Sequence, residues 1–141
     1  MSSRRQERRL AIDMLFQADV TGSSPGAVLE GWSASGRDVP AFTRELVEGV
    51  ADHLPELDRE LGAHSEGWTV ERMASVDRTI LRVAAYELLV GRQTPVGAAI
   101  DEAVRAAKEL STEDSGRFVN GVLGKIARAS AGGSGSPFER E

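Results

Sequence analysis

The sequence predicts an all-α fold: a compact bundle of about seven helices. Three observations lead there. Apolar residues recur at helical spacing along nearly the whole chain, strand-like alternation is scarce, and the breaks between periodic segments are short and built from Gly, Pro, Ser and Thr. Short connections favour helices packed against their sequence neighbours. The chain has 141 residues, enough for one domain with a sizeable core.

The first helix is predicted from about Arg4 to Val20. Leu10, Ala11, Met14, Leu15 and Ala18 follow helical spacing, Ile12 and Phe16 widen the stripe, and Arg9, Asp13 and Gln17 leave only a narrow polar edge. A helix apolar around most of its girth packs on several sides, so this one reads as central, with its basic first turns protruding. "TGSSPG" (21–26) is a loop, and a short helix covers Ala27 to Trp32. Pro40 suits the first turn of the next helix, with Asp38 as its cap and Phe42, Leu46, Val47 and Val50 inward. Pro55 opens another, with Leu54, Leu57 and Leu61 inward. Thr69 caps a short turn through Met73.

Ser75 is placed to cap a longer helix, Val76 to about Val90, with Asp77 at its positive end. Tyr86, Arg78, Arg82 and Leu89 are expected on its outer side. Gly91 ends it and Thr94-Pro95 restarts the chain. Val96, Ala99, Ile100, Ala103, Val104, Ala107 and Leu110 form the inward stripe of the sixth helix, while Asp101, Arg105 and Glu109 pair on its wet side. Ser111 or Thr112 caps the last helix. The helical domain is expected to span 1–129, followed by a polar, glycine-rich tail over 130–141 that is expected to be disordered.

Composition narrows the function classes. There is no cysteine, so disulfides and thiolate metal sites are excluded. No apolar run approaches a membrane span and no signal-peptide core follows the N-terminus, so the expected location is cytoplasmic, without membrane association. The formal net charge is −5. Residues 1–9 hold Arg4, Arg5, Arg8 and Arg9 against Glu7, a local +3, so the rest of the chain carries −8. A basic end on an acidic body fits either a solubilising tail or a localised anionic partner. Glu56, Glu60 and His64 share one helix face, but no second acid–His helix answers them, so they read as solvated. No nucleophile elbow, P-loop or dinucleotide fingerprint occurs. Neither catalysis nor a cofactor is expected.

The last helix poses the sharpest question, because it keeps Gly121 and Gly124 in its interior, where each glycine costs about 1 kcal/mol against alanine. Phe118, Val119, Val122, Leu123 and Ile126 share the core side; Asn120, Gly121, Gly124, Arg117 and Arg128 fall opposite, with Asp114 and Lys125 at the margin. Either another helix of the same domain crosses the small residues, or an external molecule approaches there. Phe118, at the edge of the apolar stripe beside charged groups, can be core or can stack on an unpaired base.

Three blocks, "VDRTILRVAAYELL" (76–89), "TPVGAAIDEAVRAAKELS" (94–111) and "EDSGRFVNGVLGKI" (113–126), resemble the NusB family of bacterial transcription antitermination factors. The resemblance spans Arg4 to Arg128. It implies two small helical subdomains sharing a core, no catalysis, and binding of single-stranded boxA RNA from ribosomal RNA leaders together with the ribosomal protein NusE, within the RNA polymerase antitermination complex. By position, Arg4, Arg5, Arg8, Arg9, Asp114, Arg117, Phe118 and Lys125 would meet RNA, and Phe16, Asp77, Tyr86 and Glu87 would meet NusE. It also turns the reading of the glycine strip toward an external contact. The chain departs from the family where it reads Asp101 in place of a common Asn and carries the small run Val96-Gly97-Ala98. A competing reading is a homodimer that occludes the same face. Fusion to a methyltransferase, known in the family, finds no room in this sequence.

Overall fold

The computed structural model describes residues 2–131; the first two residues of the expected tail, Ser130 and Ala131, continue the last helix, and 132–141 lie outside the described residues. Seven α-helices form: α1 Arg4–Thr21, α2 Pro25–Ala34, α3 Ala41–Asp52, α4 Leu54–Ala63, α5 Ser75–Tyr86, α6 Val96–Leu110 and α7 Glu113–Ala131. A 3-10 turn, Val70–Arg72, precedes α5, and a π-helical turn, Glu87–Gly91, continues it. No strand occurs among the described residues. No described helix is long and apolar enough to cross a membrane.

Local chemistry sets most boundaries. Ser3 and Gln6 form a reciprocal capping box that starts α1, the Gln6 amide donating to Ser3 Oγ at 3.1 Å and the Ser3 amide to Gln6 Oε1 at 2.8 Å. Gly22, at φ 75°, ends it in the left-handed region that glycine enters without penalty. Ser24 caps α2, which therefore starts before the expected Ala27 and runs on to Ala34. Thr112, of the two candidates, caps α7: its Oγ1 accepts from the Ser115 amide at 3.0 Å.

Three expected caps are displaced. Pro40 itself, not Asp38, holds the N-cap position of α3, and Ala74, not Ser75, that of α5; neither makes a side-chain cap bond. Thr69 precedes the 3-10 turn without a side-chain cap bond. At the far end of α5 the left-handed residue is Arg92 (φ 55°), not Gly91, because the chain closes a π turn in which the Arg92 amide donates to Glu87 O at 2.9 Å.

α1, α2 and α3 pack on one another, and α4 to α7 form a second group; α5 touches α1 and α3 as well as α4, α6 and α7, so the two groups share one core. Met14, Leu46, Leu57, Leu61, Ile80, Leu81, Leu123 and Ile126 are its largest fully enclosed side chains. Ion pairs fasten α5 on both sides: Arg78 Nη2 donates to Asp19 Oδ2 of α1 at 2.6 Å, tying the two groups together, and Arg82 makes a two-pronged bond to Asp58 of α4 at 2.9 Å within the second group. Arg78 and Arg82 are thus half-buried fasteners, and Tyr86 and Leu89, expected outside with them, are buried. Tyr86 fits because residue 49 is glycine: a Cβ there would lie 2.3 Å from Tyr86 Cε1. The expected α6 stripe holds at Ala99, Ala103 and Ala107 but not at its ends, where Val96 and Leu110 are exposed.

Candidate nucleic-acid interface

The basic first turns do not protrude. They lie against α6 and the π turn, and each arginine has a different environment. Arg4 is exposed, its guanidinium 4.0 Å from the Phe42 ring centre. Arg5 grips Glu102 of α6 with two bonds, Nε–Oε1 at 2.9 Å and Nη2–Oε2 at 2.8 Å. Arg9 pairs with Glu109 of the same helix. Arg8 is buried. Its Nε and Nη2 donate to Glu87 Oε2 and Oε1 at 2.7 and 2.9 Å, and Glu87 Oε1 also accepts from Thr94 Oγ1 at 2.8 Å. The hydrogen bond from Arg5 holds the Glu102 carboxyl below the usual carboxylate range, and that from Arg9 does the same for Glu109, with Arg105 adding to both.

Arg105 stands on the α6 face that presents Glu102 and Glu109, three residues after one and four before the other. It therefore does not simply pair with Glu109 as expected; Arg9 takes that carboxylate. Lys108, one helical step on, lies where a Cβ at Gly116 would meet its Cγ at 2.7 Å. α6 thus sits between the α1 arginines and α7, with Arg105 and Lys108 both exposed on it.

The outer flank of α7 is open. A Cβ on Gly121 would meet nothing within 4 Å, and one on Gly124 only the end of Arg128's side chain, so among the described residues no helix crosses the strip. Arg117 is exposed and paired with Asp114 one turn back. Lys125 Nζ lies 2.8 Å from Glu66 Oε2 and holds that carboxyl below its ordinary range. Phe118 is half-buried and meets Trp68 edge to face, with ring centres 6.3 Å apart and planes at 66°.

Sequence reasoning missed Trp68. It is 52% exposed, on a loop turned by two left-handed residues, Glu66 (φ 34°) and Gly67 (φ 82°). Buried Ser65 pins that loop, its Oγ donating to Trp68 O at 2.6 Å. A large aromatic in the polar run "SEGWT" was the available signal, but only the fold reveals that it meets Phe118. On one side of the aromatic pair a groove is lined by His64, Glu66, Arg117, Gly121 and Lys125; on the other, a second groove is lined by Arg72, Asp77, Asp114 and Ser115.

The residues assigned to a protein partner are scattered by the fold. Phe16 is half-buried on α1. Asp77 borders the second groove but is mostly enclosed, with Oδ2 accepting from Ser115 Oγ at 3.1 Å; burial pushes its carboxyl up. Tyr86, expected on the outer side, and Glu87, assigned with it to the partner contact, are both buried, Tyr86 reaching Glu45 and Glu87 holding Arg8. Arg8 is corrected on the same ground: its fork is spent inside the protein. Among the described residues no group of His, Asp and Glu is arranged to hold a metal ion.

A sequence model of the NusB family matches residues 5–128. The chain belongs to the NusB family. It is 45% identical over 134 residues to the transcription antitermination protein NusB of Leifsonia xyli subsp. xyli, covering 91% of this chain and 93% of that one. It is 47% identical over 131 residues to the same-named protein of Saccharopolyspora erythraea, covering 90% and 88%. T. maritima NusB superposes with a TM-score of 0.81 at 33% identity, covering 96% of this chain and 94% of the other. A chain from a crystal structure of antitermination factors NusB and NusE in complex with dsRNA superposes at 0.78 with 27% identity, covering 89% and 96%. The all-helical NusB fold and its shared core agree with what the three sequence blocks imply.

Proposed function

We propose that this NusB-family chain is a transcription antitermination factor that binds boxA single-stranded RNA together with NusE, without catalysing a reaction. The observation that carries the reading is the Trp68–Phe118 pair beside the open Gly121 strip, flanked by Arg117 and Lys125. Aromatic side chains at the edge of a cationic groove are the general means of holding unpaired bases. Arg4, Arg5 and Arg9 supply phosphate contacts across α6, with Arg105 and Lys108 between the two sides. Asp114, Arg117 and Lys125 border the aromatic pair. Arg8, Tyr86 and Glu87 support this surface from inside, while Phe16 and Asp77 stay as the NusE contacts.

Charge supports a joint mechanism. The body that carries these arginines is acidic, with a formal net charge of −5 for the whole chain, which weakens RNA binding by the chain alone. A basic NusE docked on it extends the positive track, and two proteins on one strand gain by effective concentration. The test is the affinity for boxA RNA, with and without NusE, of the intact chain and of Phe118→Ala and Trp68→Ala. Each loss of a stacking surface lowers affinity by a factor of roughly 5 to 150, from about 1–3 kcal/mol per base. Unchanged affinity in both variants, or no gain on adding NusE, rejects the proposal.

A further inference from the structure

Two of the three α1 arginines offered to phosphates, Arg5 and Arg9, are already occupied by this chain's own carboxylates. Arg5 and Arg9 lie one turn apart on α1, and Glu102 and Glu109 two turns apart on α6, so the pairs form two rungs between the helices. Each rung has one solvent-exposed member: side-chain exposure is 51% for Arg5 against 21% for Glu102, and 51% for Glu109 against 26% for Arg9. The Arg8–Glu87 rung is different, buried and further held by Thr94. It keeps α1 seated whether or not the outer rungs are closed.

We propose that Glu102 and Glu109 are internal competitors for RNA phosphate: they occupy Arg5 and Arg9 and so keep phosphate-only binding of unrelated RNA weak. The proposal rests on the RNA reading above. Exposed ion pairs contribute little stability, so the rungs open at small cost when a strand gains additional contacts at Trp68 and Phe118. Arg105 makes the exchange feasible for the acids. It shares their helix face, so Glu102 and Glu109 keep a neighbouring cation when Arg5 and Arg9 turn to phosphate. A strand held by phosphates alone must displace both carboxylates and gains nothing in return from the aromatic side.

The experiment measures, by fluorescence anisotropy, binding of a short boxA RNA and of an RNA duplex of equal length, whose paired bases offer no free face to Trp68 and Phe118. Glu102→Gln, Glu109→Gln and the double variant keep the size of the side chains and one acceptor oxygen each while removing the charge; Glu102→Gln also gives up one of the two bonds from Arg5. The double variant should bind the duplex about tenfold more tightly, taking each pair as a few-fold effect. Asp101→Asn, which removes one unit of charge from the same helix as each single glutamate variant does, should give a much smaller gain than either of those. In a background carrying Arg5→Gln and Arg9→Gln, the glutamate changes should give none.

Three results overturn the proposal: a duplex affinity that stays level or falls in the double variant, a gain from Asp101→Asn equal to that from a single glutamate change, or a gain that survives loss of the two arginines. A fall would mean that the acids orient the guanidinium groups. If Arg5→Gln and Arg9→Gln leave boxA binding unchanged, with and without NusE, the RNA face itself is misassigned. The arginine control thus separates failure of the competitor idea from failure of the reading beneath it.

Discussion

Replacing Arg8 by alanine tests whether the most basic stretch of the chain is partly structural. Arg8 and Glu87 are 8% and 3% exposed, and their two-pronged bond joins α1 to the π turn. Removing one member of a buried pair leaves the other charge enclosed, and costs about 3–5 kcal/mol. For Arg8→Ala the abandoned group is the Glu87 carboxylate, left with Thr94 as its hydrogen-bond donor. Glu87→Ala leaves Arg8, whose long stem near the chain start can carry its head toward water and toward Phe42, 5.4 Å away. Its cost is therefore the smaller of the two, about 1–3 kcal/mol. At roughly 4 °C per kcal/mol for a domain of this size, Arg8→Ala lowers Tm by about 12–20 °C. Arg8→Lys recovers only part of this, because an ammonium cannot reproduce the planar fork. The pair Arg8→Met with Glu87→Leu recovers most of it, since no charge is then left buried. Thermal melting by circular dichroism reads all of these. A Tm loss below about 4 °C for Arg8→Ala, or strictly additive losses in the double variant, would refute the assignment of Arg8 to the interior.

Three further outcomes follow from the same geometry. Gly121→Ala meets open space and raises helix propensity, so it stabilises the fold by about 0.5–1 kcal/mol while weakening RNA binding; a variant that is more stable with undiminished RNA affinity removes the reason given for the glycine. Gly49→Ala drives a methyl into the Tyr86 ring and destabilises by about 1–3 kcal/mol, and Tyr86→Leu in the same chain recovers part of the loss; a wild-type Tm in Gly49→Ala contradicts the packing. Asp77→Asn concerns pH. Burial raises the Asp77 carboxyl above its ordinary 3.8, so the folded state holds this proton more tightly than the unfolded chain, and stability falls as pH climbs from the ordinary carboxylate value through the raised one. The asparagine variant removes that penalty: it should melt higher than wild type at neutral pH and lose the advantage in acid. A difference in Tm that does not change with pH speaks against it.

How much of the site was legible depended on the range of the forces involved. The α7 strip was readable because Phe118, Val122 and Gly121 follow from helical period alone, and the open space beside Gly121 agrees with the external reading that the family blocks favoured. Arg8 was misread because charge along the chain counts arginines but does not say which carboxylate each one meets. Glu87 is seventy-nine residues away in sequence. Trp68 escaped notice because its partner Phe118 comes from another part of the chain and is brought to it by a loop whose left-handed turn has no periodic signal.

By itself the sequence determined the helices, the choice of Ser111 or Thr112 as cap of the last one, the loop that ends the first, the basic-end asymmetry and the family blocks. These depend on neighbours three or four residues apart, where the period of the α-helix and the side-chain chemistry of capping decide the outcome. Tertiary structure alone decided which arginines are spent and which are offered, why Tyr86 lies inside against Gly49, why Val96 and Leu110 stay outside, and how Trp68 comes to Phe118. The physical reason is that burial and ion pairing are set by which helix faces meet. A periodic stripe shows that a helix has a core side, but the width of that side is fixed only when its neighbours arrive.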